Sequence, residues 1–234
     1  MIEVSGLSLS FGEAKVLQDI NFLLETGSNL IILGRSGSSK TVLIKTLMGM
    51  NIPESGKVII DGIDIFTRPI HQHNFAMVFQ NAALLDSFTV FQNVALPLYE
   101  RGEKDFDAVF NKVKSSLEIV GLPDVLDKYP AELSGGMRKR VGIARALVYD
   151  PDYIIFDEPL SGLDPITAKE VLYYITMIIE SSRATTITIT HEIRNLKVIG
   201  DRVLFLESGR QLFFGGIDEL IQNNDELLRQ FMNS

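Results

Sequence analysis

Short apolar segments alternate with helical patterns along this chain. Residues 2–11 alternate apolar and polar side chains, which is typical of an antiparallel strand with one exposed face. Other short apolar segments are also predicted to be strands; they are Asn29 to Leu33, Lys57 to Asp61, Phe75 to Phe79, Tyr153 to Phe156, Thr185 to Thr190 and Arg202 to Glu207. This alternation of strand and helix patterns predicts an α/β fold.

Apolar residues that recur at three- and four-residue steps predict amphipathic helices in three places. The first begins at Val42 and ends at Gly49, the second covers 106–120 with Asp105 as its N-cap, and the third covers 171–179. The region from about 82 to 148 has helical patterns but no clear strand. We therefore expect a helical insertion between two halves of a strand-rich core.

Composition narrows the class of protein. The chain has 234 residues, of which 46% are hydrophobic and 22% charged, and this balance is typical of a globular protein of one or two domains. The net charge of −8 disfavours a free-standing nucleic-acid binder, and the lack of cysteine excludes disulfides and thiolate zinc sites. The first residues lack a signal-peptide pattern, and no apolar run approaches the ~18 residues of a membrane span. We expect a soluble, cytoplasmic chain.

A stretch of small residues follows the predicted strand 29–33 and precedes the helix from Val42. Small residues let the backbone curl so that successive N–H groups point at one phosphate, and the positive end of the helix adds to that field. Lys40 would reach the outer phosphates, and the Thr41 hydroxyl would hold Mg²⁺. The alternative is a structural turn. The predicted phosphate-binding loop consists of Gly34, Arg35, Ser36, Gly37, Ser38, Ser39, Lys40 and Thr41.

Ser39 is the one departure from the usual loop pattern, in which glycine stands directly before the lysine. Glycine at that place serves backbone curvature or a close approach to phosphate. Serine is strained there if its φ is positive and fits if its φ is negative. The sequence leaves both conformations open.

Two acids, Asp157 and Glu158, follow the buried-type strand that begins at Tyr153. An acid at the carboxyl end of a strand lies where open α/β sheets bind ligands. Asp157 would hold Mg²⁺ directly or through water, and Glu158 would polarise the water that attacks a γ-phosphate. A strand followed by a solvated acidic turn is the alternative.

A second group of small residues, Ser134, Gly135 and Gly136, precedes a helix that is predicted to begin near Arg138 and to run through Ala146. A hydroxyl and exposed N–H groups at a helix start form a second phosphate-binding surface. The basic residues 138–140 are expected to be a solvated helix face.

In this order the motifs resemble those of the ATPase subunits of ABC transporters, over essentially the full length of the chain. Residues 34–41 resemble Walker A, 153–158 resemble Walker B with the catalytic glutamate, and 133–137 resemble the LSGGQ signature with Met137 in place of glutamine. The resemblance implies an ABC-type P-loop NTPase with a mixed sheet core and an antiparallel β subdomain. A helical subdomain is inserted between Walker A and Walker B.

The resemblance also implies residue roles and the cofactors ATP and Mg²⁺. Glu158, His191 and Lys40 are catalytic, and His191 is the switch histidine that contacts the γ-phosphate. Thr41, Gln80 and Asp157 are the implied metal ligands. The implied nucleotide contacts are Phe11 (stacked on adenine), Gly34, Arg35, Ser36, Gly37, Ser38, Ser39, Lys40, Thr41, Gln80, Ser134, Gly135, Gly136, Met137 and the D-loop residue Asp164.

A domain organisation follows from the same resemblance. Residues 1–81 and 151–215 form the nucleotide-binding core with its β subdomain, 82–150 form the helical subdomain with the signature motif, and 216–234 form a C-terminal helical tail. The narrower resemblance, carried by 133–141, 83–98 and the ending 228–234, is to the Mla-type (maintenance of lipid asymmetry) ATPases, which energise phospholipid movement.

The partners implied by the resemblance are a second copy of the chain and a membrane permease. In the head-to-tail homodimer each ATP lies between residues 34–41 of one subunit and 134–137 of the other, and the permease contacts the region Gln80 to Leu98. The subunit would lie on the inner face of the cell membrane and touch no transported substrate and no nucleic acid. Two alternatives remain: an ABC ATPase for another substrate, or an ATP-binding regulatory module with little turnover, which Ser39 motivates.

Overall fold

The computed structural model describes residues 1–35, 37–67, 74–193 and 195–232. The chain divides into two compact units, the first made of 1–75 and 183–234 and the second of 76–182. The domain boundaries expected from the sequence, after residues 81, 150 and 215, stay a prediction.

The first unit is built on a mixed sheet, as expected. Its strands are β1 (Ile2–Phe11), β2 (Ala14–Leu24), β3 (Asn29–Leu33), β4 (Ser55–Ile60), β5 (Ile63–Asp64), β8 (Thr185–Thr190), β9 (Arg202–Glu207) and β10 (Arg210–Gly216). Their order across the sheet is β5-β4-β1-β2-β10-β9-β3-β8. The pairs β1–β2, β1–β4 and β4–β5 are antiparallel, whereas β3 is parallel to both neighbours.

Burial explains these two pairing modes. In β1 the buried residues Ile2, Val4, Leu7 and Leu9 are separated by exposed or half-buried ones, which suits an antiparallel strand with one covered face. In β3 every residue from Leu30 to Leu33 is fully buried, which suits a parallel strand covered on both faces.

The helices of the first unit are α1 (Lys40–Leu47), α6 (Leu196–Ile199), α7 (Ile217–Gln222) and α8 (Glu226–Met232). The start of α1 at Lys40 is two residues earlier than the sequence pattern predicted. The ring of Phe231 on α8 packs edge-on against Phe205 of β9 at a centroid distance of 4.9 Å. This contact covers part of the sheet with the C-terminal helix.

The second unit contains β6 (Phe75–Val78) from its second residue onward, β7 (Tyr153–Asp157) and the longer helices. These are α2 (Val90–Glu100), α3 (Phe106–Ile119), α4 (Gly135–Leu147) and α5 (Pro165–Ser181), with a 3-10 turn at Pro130–Glu132. The strands β6 and β7 are neighbours. Among the described residues from 82 to 148 there is no strand, as the helical pattern predicted.

Side-chain caps set the starts of these helices. The Asp105 carboxylate accepts hydrogen bonds from the N–H groups of Asp107 and Ala108, which confirms it as the N-cap of α3. The expected start of α4 near Arg138 is wrong: Ser134 Oγ accepts from the N–H of Met137 at 3.2 Å, so the helix begins at Gly135. No helix within the described ranges is long and apolar enough to cross a membrane.

Candidate functional site

The predicted phosphate loop leaves β3 through a glycine that no other residue can replace. Gly34 has φ of +153°, and a Cβ there would collide with the carbonyl oxygen of Leu206 and with Ser38 Oγ. The backbone therefore passes the end of the neighbouring strand at closer range than a side chain allows. Arg35 and Gly37 are exposed, and Ser36 lies outside the described residues.

Lys40 begins α1 and is buried, with 7% of its surface exposed. Its Nζ donates hydrogen bonds to the carbonyl oxygens of Gly34 at 2.7 Å and Arg35 at 2.9 Å. The lysine thus lies against the loop that it would serve, and Thr41 is exposed in the next position of the helix. An ammonium and a helix N-terminus on one concave loop favour an anionic ligand.

Ser38 supplies a further polar group to the loop. The residue is only 3% exposed, and its Oγ has no hydrogen-bond partner within the described part of the chain. Buried hydroxyls normally have a partner, and a phosphate oxygen is an acceptor of the right kind. Gly34 leaves space for a close approach to the loop backbone, and Ser38 and Lys40 supply hydrogen-bond donors. The loop therefore fits a phosphate group.

Ser39 adopts the strained alternative of the two that the sequence left open. It is the N-cap residue of α1 and lies in the left-handed region, with φ 73° and ψ 15°. Its side chain makes no capping hydrogen bond, so nothing from the hydroxyl offsets the conformation.

His191 lies beside this loop because of the register of two parallel strands. Leu33 of β3 is paired with Thr190 of β8, so the next residues, Gly34 and His191, leave the same sheet edge side by side. The carboxyl edge of parallel strands is where open α/β sheets bind ligands. His191 is exposed. The first unit therefore brings His191 and the phosphate loop together.

Phe11 is the last residue of β1, opposite Ala14 at the tip of the antiparallel ribbon. Its side chain is 54% exposed, an unusual exposure for a phenyl ring. The exposure leaves its face accessible to a planar ligand, and stacking on adenine stays a prediction.

In the second unit the two acids lie where β7 ends. Asp157 is the last residue of the strand, and Glu158 follows with a positive φ of 46°. Left-handed backbone at a bulky residue costs free energy and clusters at functional sites. Both acids are half-buried, so neither is the fully solvated turn that was the alternative.

Lys139 links this strand end to the segment after β6. The sequence analysis did not predict this role for the lysine. Its Nζ donates to the carbonyl oxygen of Gln80 at 2.5 Å and to that of Glu158 at 3.5 Å. Burial lowers the pKa of the Lys139 ammonium, and the nearby carboxylates of Glu158 and Asp157 partly offset that effect. The expectation of a solvated basic face is wrong for Lys139, which is 6% exposed.

The signal that could have identified Lys139 is helical spacing. It lies four residues before Ile143 and seven before Ala146, and both of these residues are buried. A lysine on the buried side of a helix needs acceptors for its ammonium, which the two carbonyls provide.

The segment that carries Gln80 is held by further hydrogen bonds, one from the loop after β7 and two from α4. Gln80 Nε2 donates to Ser161 Oγ at 3.1 Å. Ala82 and Ala83 both have positive φ, and the Arg145 guanidinium donates to their carbonyl oxygens at 2.6 and 2.7 Å. The side chain of Gln80 is exposed. The second unit thus brings Gln80, the two acids and the base of α4 together.

The predicted signature residues form the first turn of α4. Ser134 is exposed and caps the helix, Gly135 and Met137 are half-buried, and Gly136 is buried. A Cβ on Gly136 would collide with Cγ2 of Thr167 on α5, so a larger residue here would force Thr167 to move. The N-terminal N–H groups of the helix suit an anion, and their contact with a nucleotide stays a prediction.

Asp164 is the N-cap of α5. Its carboxylate accepts from Thr167 Oγ1 at 2.5 Å and from the N–H groups of Ile166 and Thr167. The hydrogen bond from Thr167 is the main cause that lowers the pKa of Asp164. These bonds give the carboxylate a local structural role, while its predicted nucleotide contact stays a prediction.

The profile of the ABC transporter family matches residues 17–161. The chain belongs to this family. It is similar to the probable ribonucleotide transport ATP-binding protein mkl of Mycobacterium tuberculosis, with 37% identity over 99% of the chain and 66% of that relative. It is also similar to the methionine import ATP-binding protein MetN 1 of Rhodopseudomonas palustris, with 39% identity over 96% of the chain and 62% of that relative. The chain therefore spans about two thirds of the length of these relatives.

Solved ABC structures confirm the expected fold. The chain superposes on the ATP-binding cassette MJ0796, solved as a dimer in a post-hydrolysis state bound to ADP and Pi, with a TM-score of 0.81 and 27% identity. That comparison covers 93% of this chain and 99% of the other. A second dimeric structure of the same cassette gives a TM-score of 0.83. The mixed-sheet ABC cassette predicted from the motifs is thus the fold of this chain.

Proposed function

We propose that this chain is the ATP-binding and ATP-hydrolysing subunit of an ABC transporter. The phosphate loop carries the proposal: Gly34 leaves room for a close backbone approach, Ser38 Oγ needs an acceptor, and Lys40 supplies the charge. Family membership and a relative that was solved with ADP and Pi support the same ligand class.

The reaction is the attack of water on the γ-phosphorus, with ADP as the leaving group. Glu158 takes the proton of the attacking water, and Lys40 stabilises the charge that develops on the phosphate oxygens. His191 leaves the sheet edge beside the loop. From there it would contact the γ-phosphate.

The hydroxyl of Thr41, the amide of Gln80 and the carboxylate of Asp157 are oxygen ligands of the kind that Mg²⁺ prefers. When bound, Mg²⁺ would neutralise charge on the β- and γ-phosphates. Residues 34–41 would orient these phosphates.

The subunit is proposed to act as a head-to-tail homodimer. Residues 134–137 of one copy would contact the nucleotide held by residues 34–41 of the other, with Phe11 on the adenine and Asp164 as a further nucleotide contact. The dimeric structures of MJ0796 support a dimer. Catalysis then depends on assembly, because each copy carries half of each site.

A membrane permease is the proposed partner of the region Gln80 to Leu98. Within the second unit, a cavity of about 290 Å³ is lined by Phe79, Pro97, Arg101 and Tyr149 among others. Phe79 and Leu85 are 42% and 43% exposed, which provides apolar surface for a short permease helix. The subunit would then lie on the cytoplasmic face of the cell membrane without spanning it.

Phospholipid is the transported substrate that we propose, on the resemblance of 133–141 and 83–98 to Mla-type ATPases. The relatives carry the names of ribonucleotide and methionine transport, so these are the competing substrates. Purification of the native complex with its permease, followed by lipid analysis, separates them. Enrichment of phospholipid together with ATPase stimulation by phospholipid is the expected result; stimulation by methionine or ribonucleotide alone would overturn the lipid proposal.

The ATPase proposal is tested with Glu158→Gln in the complex with the permease. The amide keeps the size of the side chain but cannot take a proton, so we expect ATP binding to persist while turnover falls by about 10²-fold or more. Glu180→Gln, the same change at an exposed position of α5, is the matched control and is expected to behave as wild type. Unchanged turnover in Glu158→Gln would refute the assignment.

A second candidate function is an ATP-binding regulatory module with little turnover. The positive φ of Ser39 favours this candidate, because strain in the phosphate loop disfavours the backbone conformation that binds ATP. Steady-state ATP hydrolysis by the wild-type complex decides between the two, since a regulatory module would bind ATP without sustained turnover.

A further inference from the structure

A cavity of about 500 Å³ opens on the second unit between α2, α3 and the segment before the 3-10 turn. Its size falls in the range of small-molecule sites. The proposed ATPase mechanism makes no use of it. Its walls are mainly aromatic; the residues that carry the argument are Phe91, Tyr99, Phe106, Phe110, Leu126 and Asp127.

Three phenyl rings form one wall of the cavity. The ring centroids of Phe91, Phe106 and Phe110 lie 5.9, 6.0 and 6.1 Å apart, which is close to an equilateral triangle. The ring planes are tilted by 30° to 48° relative to one another, so the three rings are neither coplanar nor perpendicular. A cation about 3.5 Å above the centre of this triangle would lie about 5 Å from all three centroids, inside the ~6 Å range of cation–π attraction.

These rings are more exposed than packing alone explains. Phe106 is 60% exposed, Phe110 37% and the nearby Tyr99 43%. Large aromatic side chains in one cluster are normally buried, because each removes considerable apolar area from water. The cluster therefore leaves part of each of these side chains accessible to a ligand from solution.

The charge of the cavity selects the sign of that ligand. Asp127 is the single charged side chain among the described residues that line it. Thr89 and Gln92 are uncharged residues that also line the cavity. Their hydrogen bonds to each other form the capping box of α2. Ring faces carry negative partial charge, so the aromatic wall and the carboxylate both attract a cation.

We propose that this cavity binds a small organic cation with a quaternary ammonium group, of which choline is the simplest probe. Methyl groups on the nitrogen pack against Phe91, Phe106 and Phe110, while Asp127 balances the charge. A metal ion suits the site less well, because phenyl rings offer no lone pairs for coordination.

The test measures binding by isothermal titration of the full chain with choline and with 3,3-dimethylbutanol, its neutral isostere. We expect choline to bind about fivefold or more tighter than the isostere, and Phe106→Leu and Phe110→Leu each to weaken choline about three- to tenfold. Asp127→Asn should weaken choline and leave the isostere unchanged. Both phenyl rings are partly exposed, so these variants are expected to fold, and their ATP binding and thermal unfolding check this.

Tyr173→Leu is the matched control, since Tyr173 is 62% exposed on α5 and does not line the cavity. Equal binding of choline and 3,3-dimethylbutanol would overturn the proposal in favour of a purely apolar pocket. The absence of saturable choline binding, or equal affinities in the ring variants and wild type, would also overturn it. Cosedimentation with phosphatidylcholine but not phosphatidylglycerol vesicles, without binding of free choline, would assign the site to a lipid headgroup instead of a free cation.

Discussion

Replacement of Ser39 by glycine tests whether the phosphate loop stores strain. Ser39 has φ 73° and no capping hydrogen bond from its side chain. A non-glycine residue in the left-handed region costs about 1–2 kcal/mol. Glycine escapes that cost but loses about 0.5–1 kcal/mol more backbone entropy on folding. The net expectation for Ser39→Gly is a gain of about 0.5–1 kcal/mol in the free energy of unfolding.

Ser39→Ala is the matched control for the same position. It removes the hydroxyl but keeps the Cβ that causes the strain, so its free energy of unfolding should stay within about 0.5 kcal/mol of wild type. Both variants lack the side-chain oxygen. The difference between their free energies of unfolding therefore measures the effect of backbone conformation alone.

Thermal and urea unfolding of the three proteins, together with titration of Mg-ATP, are the measurements. For a chain of this size, 1 kcal/mol raises Tm by about 2–4 °C. ATP affinity should tighten by less than tenfold, because a tenfold change corresponds to about 1.4 kcal/mol and the expected relief is only about 0.5–1 kcal/mol. We expect a modest tightening, since glycine reaches the binding-competent loop more readily.

An equal or lower free energy of unfolding in Ser39→Gly than in Ser39→Ala would refute the strain argument. Unchanged or weaker ATP binding in the glycine variant would show that Ser39 is fully accommodated, and the regulatory-module candidate would then lose its support.

Two further predictions concern helix positions. Lys139→Met keeps the length of the side chain but leaves the carbonyl oxygens of Gln80 and Glu158 without their ammonium donor, so urea unfolding should show a loss of about 1–3 kcal/mol and turnover should fall while ATP binding persists. The lowered pKa of Asp164 means that its capping bonds stabilise the fold above the ordinary aspartate pKa and are lost as the pH falls through the lowered value. Asp164→Ala should therefore be destabilised at pH 7, with a gap to wild type that closes in acid, and Asp164→Asn should retain the cap without that pH dependence; a gap independent of pH would contradict this.

The sequence predicted best those elements whose pattern is local. The strands β3, β8 and β9 have the bounds expected from their apolar runs, and Asp105 caps α3 as its spacing indicated. The strands have buried interior residues and α3 has one buried apolar stripe, so the local apolar pattern is enough to indicate each element.

The strand β2 was not predicted, and its irregular pairing explains why. Its register with β1 shifts three times, and Asp19 within it has a positive φ of 53°. Within β2 the buried residues Leu17 and Ile20 are three positions apart, so the apolar alternation along 14–24 is broken around Asp19. Long-range pairing with β1 and β10 decides this strand more than local preference does.

The candidate site shows the same division. Gly34, Lys40, Asp157 and Glu158 were predicted from motif and strand context, and the structure places each at a strand end or helix start. Lys139 was not, because its partners are backbone carbonyls at 80 and 158, far along the chain. A motif records side-chain identity, whereas the acceptors of Lys139 are the same in every residue.

Ser39 and Glu158 both have positive φ, yet their surroundings differ in a way that separates removable from required strain. The Glu158 carbonyl accepts hydrogen bonds from Lys139 Nζ and from the N–H of Ser161, so its conformation is over-determined from two sides. The Ser39 carbonyl accepts the ordinary helical bond from the N–H of Leu43, which glycine would keep. Added contacts of this kind hold a residue in a strained conformation, and the stability of the rest of the fold offsets the cost. Strain that is held in this way positions a functional group. The side chain of Ser39 makes no capping hydrogen bond that would hold the strain, and its relief by glycine should therefore leave the geometry of the loop intact.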